Sequence, residues 1–200
     1  MAIKIEKLVL ATRNQHKLVE LKAYLEPYKI KVVSYNDIAI PDVRETGESF
    51  EDNALLKACA IAKATGLPAL ADDSGLCVWG IGGRPGVYSS RWAGPQQDYD
   101  HAFKKIESEL KHNDSHMDRR ASFICSLALC FPDERTPLTF EGRVDGTLLN
   151  PGRGPMKFGY DPIFLPTGSK KTFAEMTAAE KQKISHRTQA LKHFIAAVHG

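Results

Sequence analysis

The sequence predicts an α/β fold, and three observations carry the prediction. Short apolar runs of strand type alternate with longer runs of helical spacing through the first 75 residues, the order that builds a sheet flanked by helices. A later run, ASFICSLALCF (121–131), places Phe123, Cys125, Leu127, Leu129 and Phe131 at period two, a strong strand pattern. At 200 residues the chain fits one domain (1–200), large enough to bury roughly 70% of its unfolded surface.

In chain order, KLVLA (7–11) is a short apolar strand. NQHKLVELKAYL follows, with Leu18, Leu21 and Leu25 at helical spacing from about Gln15. KIKVVS (29–34) is a second strand. Ser49 with Asp52 three residues on opens a helix over FEDNALLKACAIAKAT, and Gly66 and Pro68 stop it. PALA is then a strand that ends at Asp72 and Asp73, where DDSG has the composition of a turn. GIGGRPGVYSSRWAG reads as loop. DYDHAFKKIESEL is a helix with Phe103, Ile106 and Leu110 inward, and PLTFEGRVDG is the antiparallel partner of the 121–131 strand. After a Gly/Pro-rich stretch, Thr177 and Glu180 form a capping box. The last helix, around RTQALKHFIAAV, carries Leu191, Phe194, Ile195 and Val198.

Apolar and charged fractions of 42% and 26% exclude a disordered or fibrous chain. No apolar run approaches the ~18 residues of a membrane helix, and the charged N-terminus lacks a signal-peptide core. The four cysteines, Cys59, Cys77, Cys125 and Cys130, show no metal or redox spacing and are expected to be reduced core thiols of a cytoplasmic protein. A net charge of +3 is too small to mark a nucleic-acid binder. Its distribution is more informative. Residues 41–75 hold seven acids against three bases, and residues 151–200 hold eight bases against three acids. The first suits a divalent cation and the second suits phosphates, although two solvated faces have the same composition.

Four stretches have the residue types of a reactive site. ATRNQHK (11–17) is a strand end running into a helix start, where unpaired backbone N–H groups and the positive end of the dipole receive phosphate. Thr12, Asn14 and Lys17 add donors, and an ordinary N-cap is the competing reading. RETGESFEDNALLKA places Glu45, Glu48 and Glu51 near a helix N-terminus. Dipole complementation suffices for the last two. FGYDP (158–162) joins an aromatic, a glycine and an acid that can stack on and hydrogen-bond a planar base. EKQKISHRTQ (180–189) offers Lys181, His186 and Arg187 as donors to phosphates and carbonyls, or as solvated helix charges. VDGTLL (144–149) mimics a phosphatase signature, but Arg143 stands where its nucleophilic aspartate is required.

Together these stretches resemble one family, the inosine triphosphate pyrophosphatases. The shared signatures are Thr12-x-Asn14-x-x-Lys17, ETG (45–47), NALLKA (53–58), ADDSGL (71–76), GGRPGVYSSRW (82–92), FGYDPIF (158–164) and EKxxISHR (180–187), in family order over nearly the whole chain. Members usually have glycine where this chain has Arg13, and often a second acid where it has Arg44. The resemblance implies an elongated two-lobed α/β structure, with a long mixed sheet flanked by helices and an active-site cleft between lobes. It implies hydrolysis of non-standard purine nucleoside triphosphates (ITP, dITP, XTP) to the monophosphate and pyrophosphate, with Mg²⁺ as cofactor, in a cytoplasmic homodimer. Asp73 is then general base and, with Glu45, metal ligand. Thr12, Arg13, Asn14, Gln15, His16, Lys17 and Lys181 hold the polyphosphate, and Ser74 contacts substrate. Phe158, within Phe158-Gly159-Tyr160-Asp161, stacks on the base, and Asp161, His186 and Arg187 read its edge. Asp72, pointing to the opposite face of an extended strand, takes a supporting role.

Two other readings compete. Pyrophosphatases of related fold act on modified pyrimidine nucleotides, and the SHR segment argues against them. A basic nucleic-acid-binding module would leave ADDSG without a purpose.

Overall fold

The computed structural model describes residues 5–38, 40, 42–114, 117–133, 135–155 and 158–199. In chain order the elements are β1 (Lys7–Leu10), α1 (Gln15–Leu25), β2 (Lys31–Ser34), α2 (Phe50–Thr65), β3 (Ala69–Val78), α3 (Ser89–Trp92), α4 (Tyr99–His112), β4 (Arg120–Cys130), β5 (Leu138–Leu148), β6 (Phe164–Pro166), α5 (Ala178–Ile184) and α6 (His186–Val198). The strands form one sheet in the order β2-β1-β3-β4-β5-β6. The sheet is mixed: β1 runs parallel to β2 and to β3, and β5 runs antiparallel to β6.

The helix signals stand where the sequence placed them. Ser49 caps α2 and exchanges hydrogen bonds with Asp52, and Gly66 ends the helix in the left-handed region at φ 67°. Thr177 and Glu180 form the corresponding box on α5. Three expectations are corrected. β3 does not stop at Asp72 but runs through both aspartates to Val78. The turn formers there are overridden because neighbouring cations neutralise the carboxylates, as described below. The 80–94 segment is not all loop: it winds into two short 3₁₀ turns and α3. Finally, Cys59 and Cys130 are disulfide-bonded, while Cys77 and Cys125 are buried thiols. Packing of α2 against the end of β4 brings these two within 4.9 Å at Cα, across 71 residues of sequence. Spacing rules do not detect such a pair.

The chain divides into two compact units, residues 1–73, 125–142 and 187–200, and residues 74–124 and 143–186. The first is a sheet with helices on both faces. Leu8 and Leu10 of β1, Leu70 of β3 and Cys125, Leu127 and Leu129 of β4 pack with Leu18, Leu21 and Leu25 of α1 and Leu191, Phe194 and Val198 of α6. The alternate residues, Val9, Ala69, Ala71 and Ala128, pack with Ala54, Ala58, Ile61 and Ala62 of α2. Period two in the strands and 3.6 in the helices account for this sorting. The second unit has its own core, in which Leu76, Val78, Ile106, Leu110, Phe123, Phe164 and Phe173 are buried.

Candidate active site

Residue parity along β3 sorts the two adjacent aspartates. Asp72 shares the face of Leu70 and meets α1 and α6. Asp73 shares the face of Ala69 and Ala71 and meets α2. The Asp72 carboxylate is fully buried between Lys17 Nζ, on Oδ1, and Arg187 Nε, 2.7 Å from Oδ2. The Cys125 thiol donates to the same Oδ2 across 3.3 Å. Burial alone would raise this carboxyl, but Arg187 and Lys17 outweigh it and hold Asp72 well below the ordinary carboxylate range. Burial, and then Asp72, push the Cys125 thiol well up, so it remains an S–H donor. Arg187 is itself buried, and its Nη1 pairs with Glu20 on α1.

Asp73 is arranged differently. Its Oδ1 accepts from Lys57 Nζ at 3.1 Å, while its buried Oδ2 has no hydrogen-bond partner among the described residues. Burial raises the Asp73 carboxyl and Glu45 adds to the effect, against opposition from Lys57 and Lys17. Glu45 is brought in by the ETG segment. Gly47 N–H donates to Asn53 Oδ1 at 2.8 Å, pinning that segment to the start of α2. A Cβ on Gly47 would lie 2.5 Å from Asp52 Cβ, so no larger residue allows this approach. Glu45 Oε1 then sits 2.6 Å from the same Lys57 ammonium, which also donates to the Asp72 carbonyl at 3.0 Å. Burial works against the charge on Lys57, yet Asp73 and Glu45 more than compensate and raise its pKa.

Lys57 was absent from the sequence-derived residue set, although a signal for it exists. It stands three residues after Ala54 and four before Ile61, a cation within the buried stripe of α2. Glu20 and Cys125 were also missed, since only the fold brings them to Asp72 and Arg187.

The 11–17 stretch forms the helix start that was expected. Asn14 is the N-cap of α1, and its Oδ1 accepts the Lys17 N–H at 3.2 Å. Thr12 Oγ1 accepts the Asn14 N–H at 3.2 Å. Gln15 and His16 are exposed in the first turn. Arg13 turns to Asp42, donates to the Ile40 carbonyl at 2.8 Å, and lies 4.2 Å over the Tyr35 ring.

In the second unit, Lys181 Nζ and Asp161 Oδ2 are 2.5 Å apart, which pairs two residues that the sequence reading gave separate tasks. Lys181 also lies 5.6 Å from the Phe158 ring centroid. Gly159 has φ +55°, a conformation that disfavours any side chain at this turn. Tyr160 is buried, donates to the Ser89 carbonyl at 2.8 Å, and packs edge-on against Tyr99. Burial raises its phenol well above the ordinary value. Its side chain therefore anchors the FGYDP turn through GVYSSRW. His186 stacks on Phe123 at 4.9 Å with 12° between ring planes, and Ser74 is half-buried on β3.

A profile of the Ham1 family matches residues 8–197. The chain belongs to the Ham1 family. It is 46% identical to a dITP/XTP pyrophosphatase of Zymomonas mobilis over 96% of this chain and 91% of the relative. It is 47% identical to one of Caulobacter vibrioides, over 96% and 97%. A solved HAM1 protein from Coxiella burnetii superposes with a TM-score of 0.90 at 40% identity, covering 98% of this chain and 99% of that one.

Among the described residues, no group of three or more His, Cys, Asp and Glu has a metal-binding arrangement. Glu45 and Asp73 are nevertheless of the donor type that could hold a hard divalent ion. Two hard carboxylates converge on the Lys57 ammonium, and one of them carries a second, buried oxygen with no hydrogen-bond partner among the described residues. Magnesium is typically held by one or two carboxylates, with waters and substrate phosphates completing the octahedron.

Proposed function

We propose that this chain hydrolyses the non-standard purine nucleoside triphosphates dITP, XTP and ITP to the monophosphate and pyrophosphate. The relatives' names support the substrate class. The observation that carries the chemistry is Asp73 Oδ2, a buried carboxylate oxygen with no hydrogen-bond partner among the described residues, beside Glu45 and Lys57. Asp73 is the general base: it takes a proton from the attacking water, and burial that disfavours its charge makes it the better acceptor. Glu45 and Asp73 would hold Mg²⁺, which when bound neutralises phosphate charge and acidifies water.

The N-terminus of α1, with Thr12, Asn14, Gln15, His16 and Lys17, binds phosphate oxygens, and Arg13 joins them on leaving Asp42. Lys181 neutralises phosphate, Phe158 stacks on the base, and Ser74 contacts the substrate. Gly159 and Tyr160 shape the turn that presents Asp161. His186 and Arg187 supply donors of the kind a 6-carbonyl requires. Adenine carries a donor at that position, and a site built around one hydrogen bond rejects an analogue lacking it by roughly 10⁴–10⁵. The same reading includes a homodimer and a cytoplasmic setting, which light scattering and fractionation check. No helix among the described residues is long and apolar enough to cross a membrane.

The deciding experiment compares kcat/KM for dITP, XTP, ITP, ATP and GTP, with products followed by phosphorus NMR in the presence and absence of chelator. Pyrophosphate release from the first three, abolished by chelation, is expected. Orthophosphate as first product, or equal efficiency on ATP, overturns the reading. Arg187→Ala is expected to depress ITP far more than ATP. An equal loss on all substrates removes Arg187 from base recognition.

A further inference from the structure

The ammonium of Lys57 occupies the point on which the two candidate metal ligands converge. Its three N–H donors meet three acceptors: Glu45 Oε1 at 2.6 Å, Asp73 Oδ1 at 3.1 Å and the Asp72 carbonyl at 3.0 Å. An ammonium has three donors, so this one is saturated. Its side chain is 14% exposed, so the charge is nearly removed from water, and its charged partners are Glu45, in the segment pinned to the start of α2, and Asp73, on β3. A divalent ion bound to the same oxygens needs them at about 2.0–2.1 Å. An ion drawing on Glu45 Oε1 and Asp73 Oδ1 takes the acceptors the ammonium uses, and one drawing on the second oxygens still lies close enough for the two cations to repel each other.

We propose that Lys57 is a tethered counter-cation: it fills the divalent-cation position in the free protein, keeps Glu45 and Asp73 together there, and withdraws when a metal ion enters. The inference rests on the metal placement proposed above and extends it to the order of events. With its own cation in place, the free protein binds a divalent ion weakly. The ion is taken up chiefly along with the substrate's phosphates, which supply the ligands that Glu45 and Asp73 alone do not. The flexible four-carbon stem of lysine makes the withdrawal possible, whereas a guanidinium locked in a planar fork would resist it.

The test measures metal binding without substrate. Mn²⁺ binding to the full chain is followed by electron paramagnetic resonance in the parent, in Lys57→Met and in Lys57→Gln. The glutamine variant keeps a donor for the Asp72 carbonyl and guards against a methionine variant that does not fold. Both neutral variants are expected to bind Mn²⁺ at least tenfold more tightly than the parent. Their melting temperatures are expected to fall below the parent's in chelator and to recover with Mn²⁺ by a larger increment. Asp73→Asn, made in each background, locates the ion. Mn²⁺ binding that depends on Asp73 yet is no tighter without the lysine overturns the exchange and leaves the metal placement standing. Mn²⁺ binding that Asp73→Asn does not weaken overturns the placement itself.

Discussion

Replacing Asp72 and Asp73 in turn by asparagine separates two residues that are neighbours in sequence and opposites in role. Asp72→Asn removes the charge that neutralises Lys17 and Arg187 inside the protein. Breaking a buried ion pair from one side costs about 3–5 kcal/mol, because the surviving charge is left without compensation. The low end applies here. Arg187 keeps Glu20, and asparagine retains one acceptor oxygen. A loss of about 3 kcal/mol is roughly 100-fold in the unfolding equilibrium and, for a chain of this size, roughly 6–12 °C in Tm. Asp73→Asn removes a carboxylate whose charge burial disfavours, and Lys57 keeps Glu45. Its stability is expected to change by less than about 1 kcal/mol. Turnover at saturating substrate and Mg²⁺ is expected to fall by about 10²–10⁴, as for loss of a general base. Thermal and urea unfolding by circular dichroism, with pyrophosphate release on the same samples, measures both quantities. If Asp73→Asn is the more destabilising, or retains turnover within a few-fold of the parent, the division of roles drawn from β3 is wrong.

Gly47→Ala places a methyl against Asp52 Cβ and the Asn53 backbone, and is expected to destabilise by about 1–3 kcal/mol. By displacing Glu45 it is also expected to raise the Mg²⁺ concentration needed for half-maximal rate, and an unchanged Mg²⁺ dependence refutes the role of the ETG segment. Glu180 is held at about 2 by Lys171 and the Thr177 backbone, below its ordinary 4.5. A depressed carboxyl contributes stability above its unfolded pKa, and that stability disappears as pH falls from about 4.5 towards 2. Tm of Glu180→Gln is therefore expected to fall less than the parent's over that interval, by a modest amount that salt reduces further; parallel curves count against it. Cys125→Ala removes one donor to Asp72 and is expected to cost about 1 kcal/mol or slightly more in denaturant titrations, with Cys125→Ser recovering part of it.

Much of this protein is legible in local pattern. The apolar stripes of α1, α4 and α6, the capping boxes at Ser49 and Thr177 and the period-two run of β4 depend on residues within a few positions of one another. Each of the seven signatures is equally local, and together, in family order, they point to the family. Parity along β3 likewise separates Asp72 from Asp73 before any coordinates are known. What local pattern cannot reach is the identity of partners across the chain. DDSG has turn composition, yet β3 continues because Lys17, Lys57 and Arg187 arrive from three different helices to meet its carboxylates. Arg13 belongs by sequence to the phosphate-binding stretch, but its guanidinium is committed to Asp42 and Tyr35. Cys59 and Cys130 read as separate thiols until α2 packs on β4. Periodicity records which face of an element is apolar. Which charge or thiol stands opposite depends on how the elements pack, and in this protein that packing places Lys57 between Glu45 and Asp73.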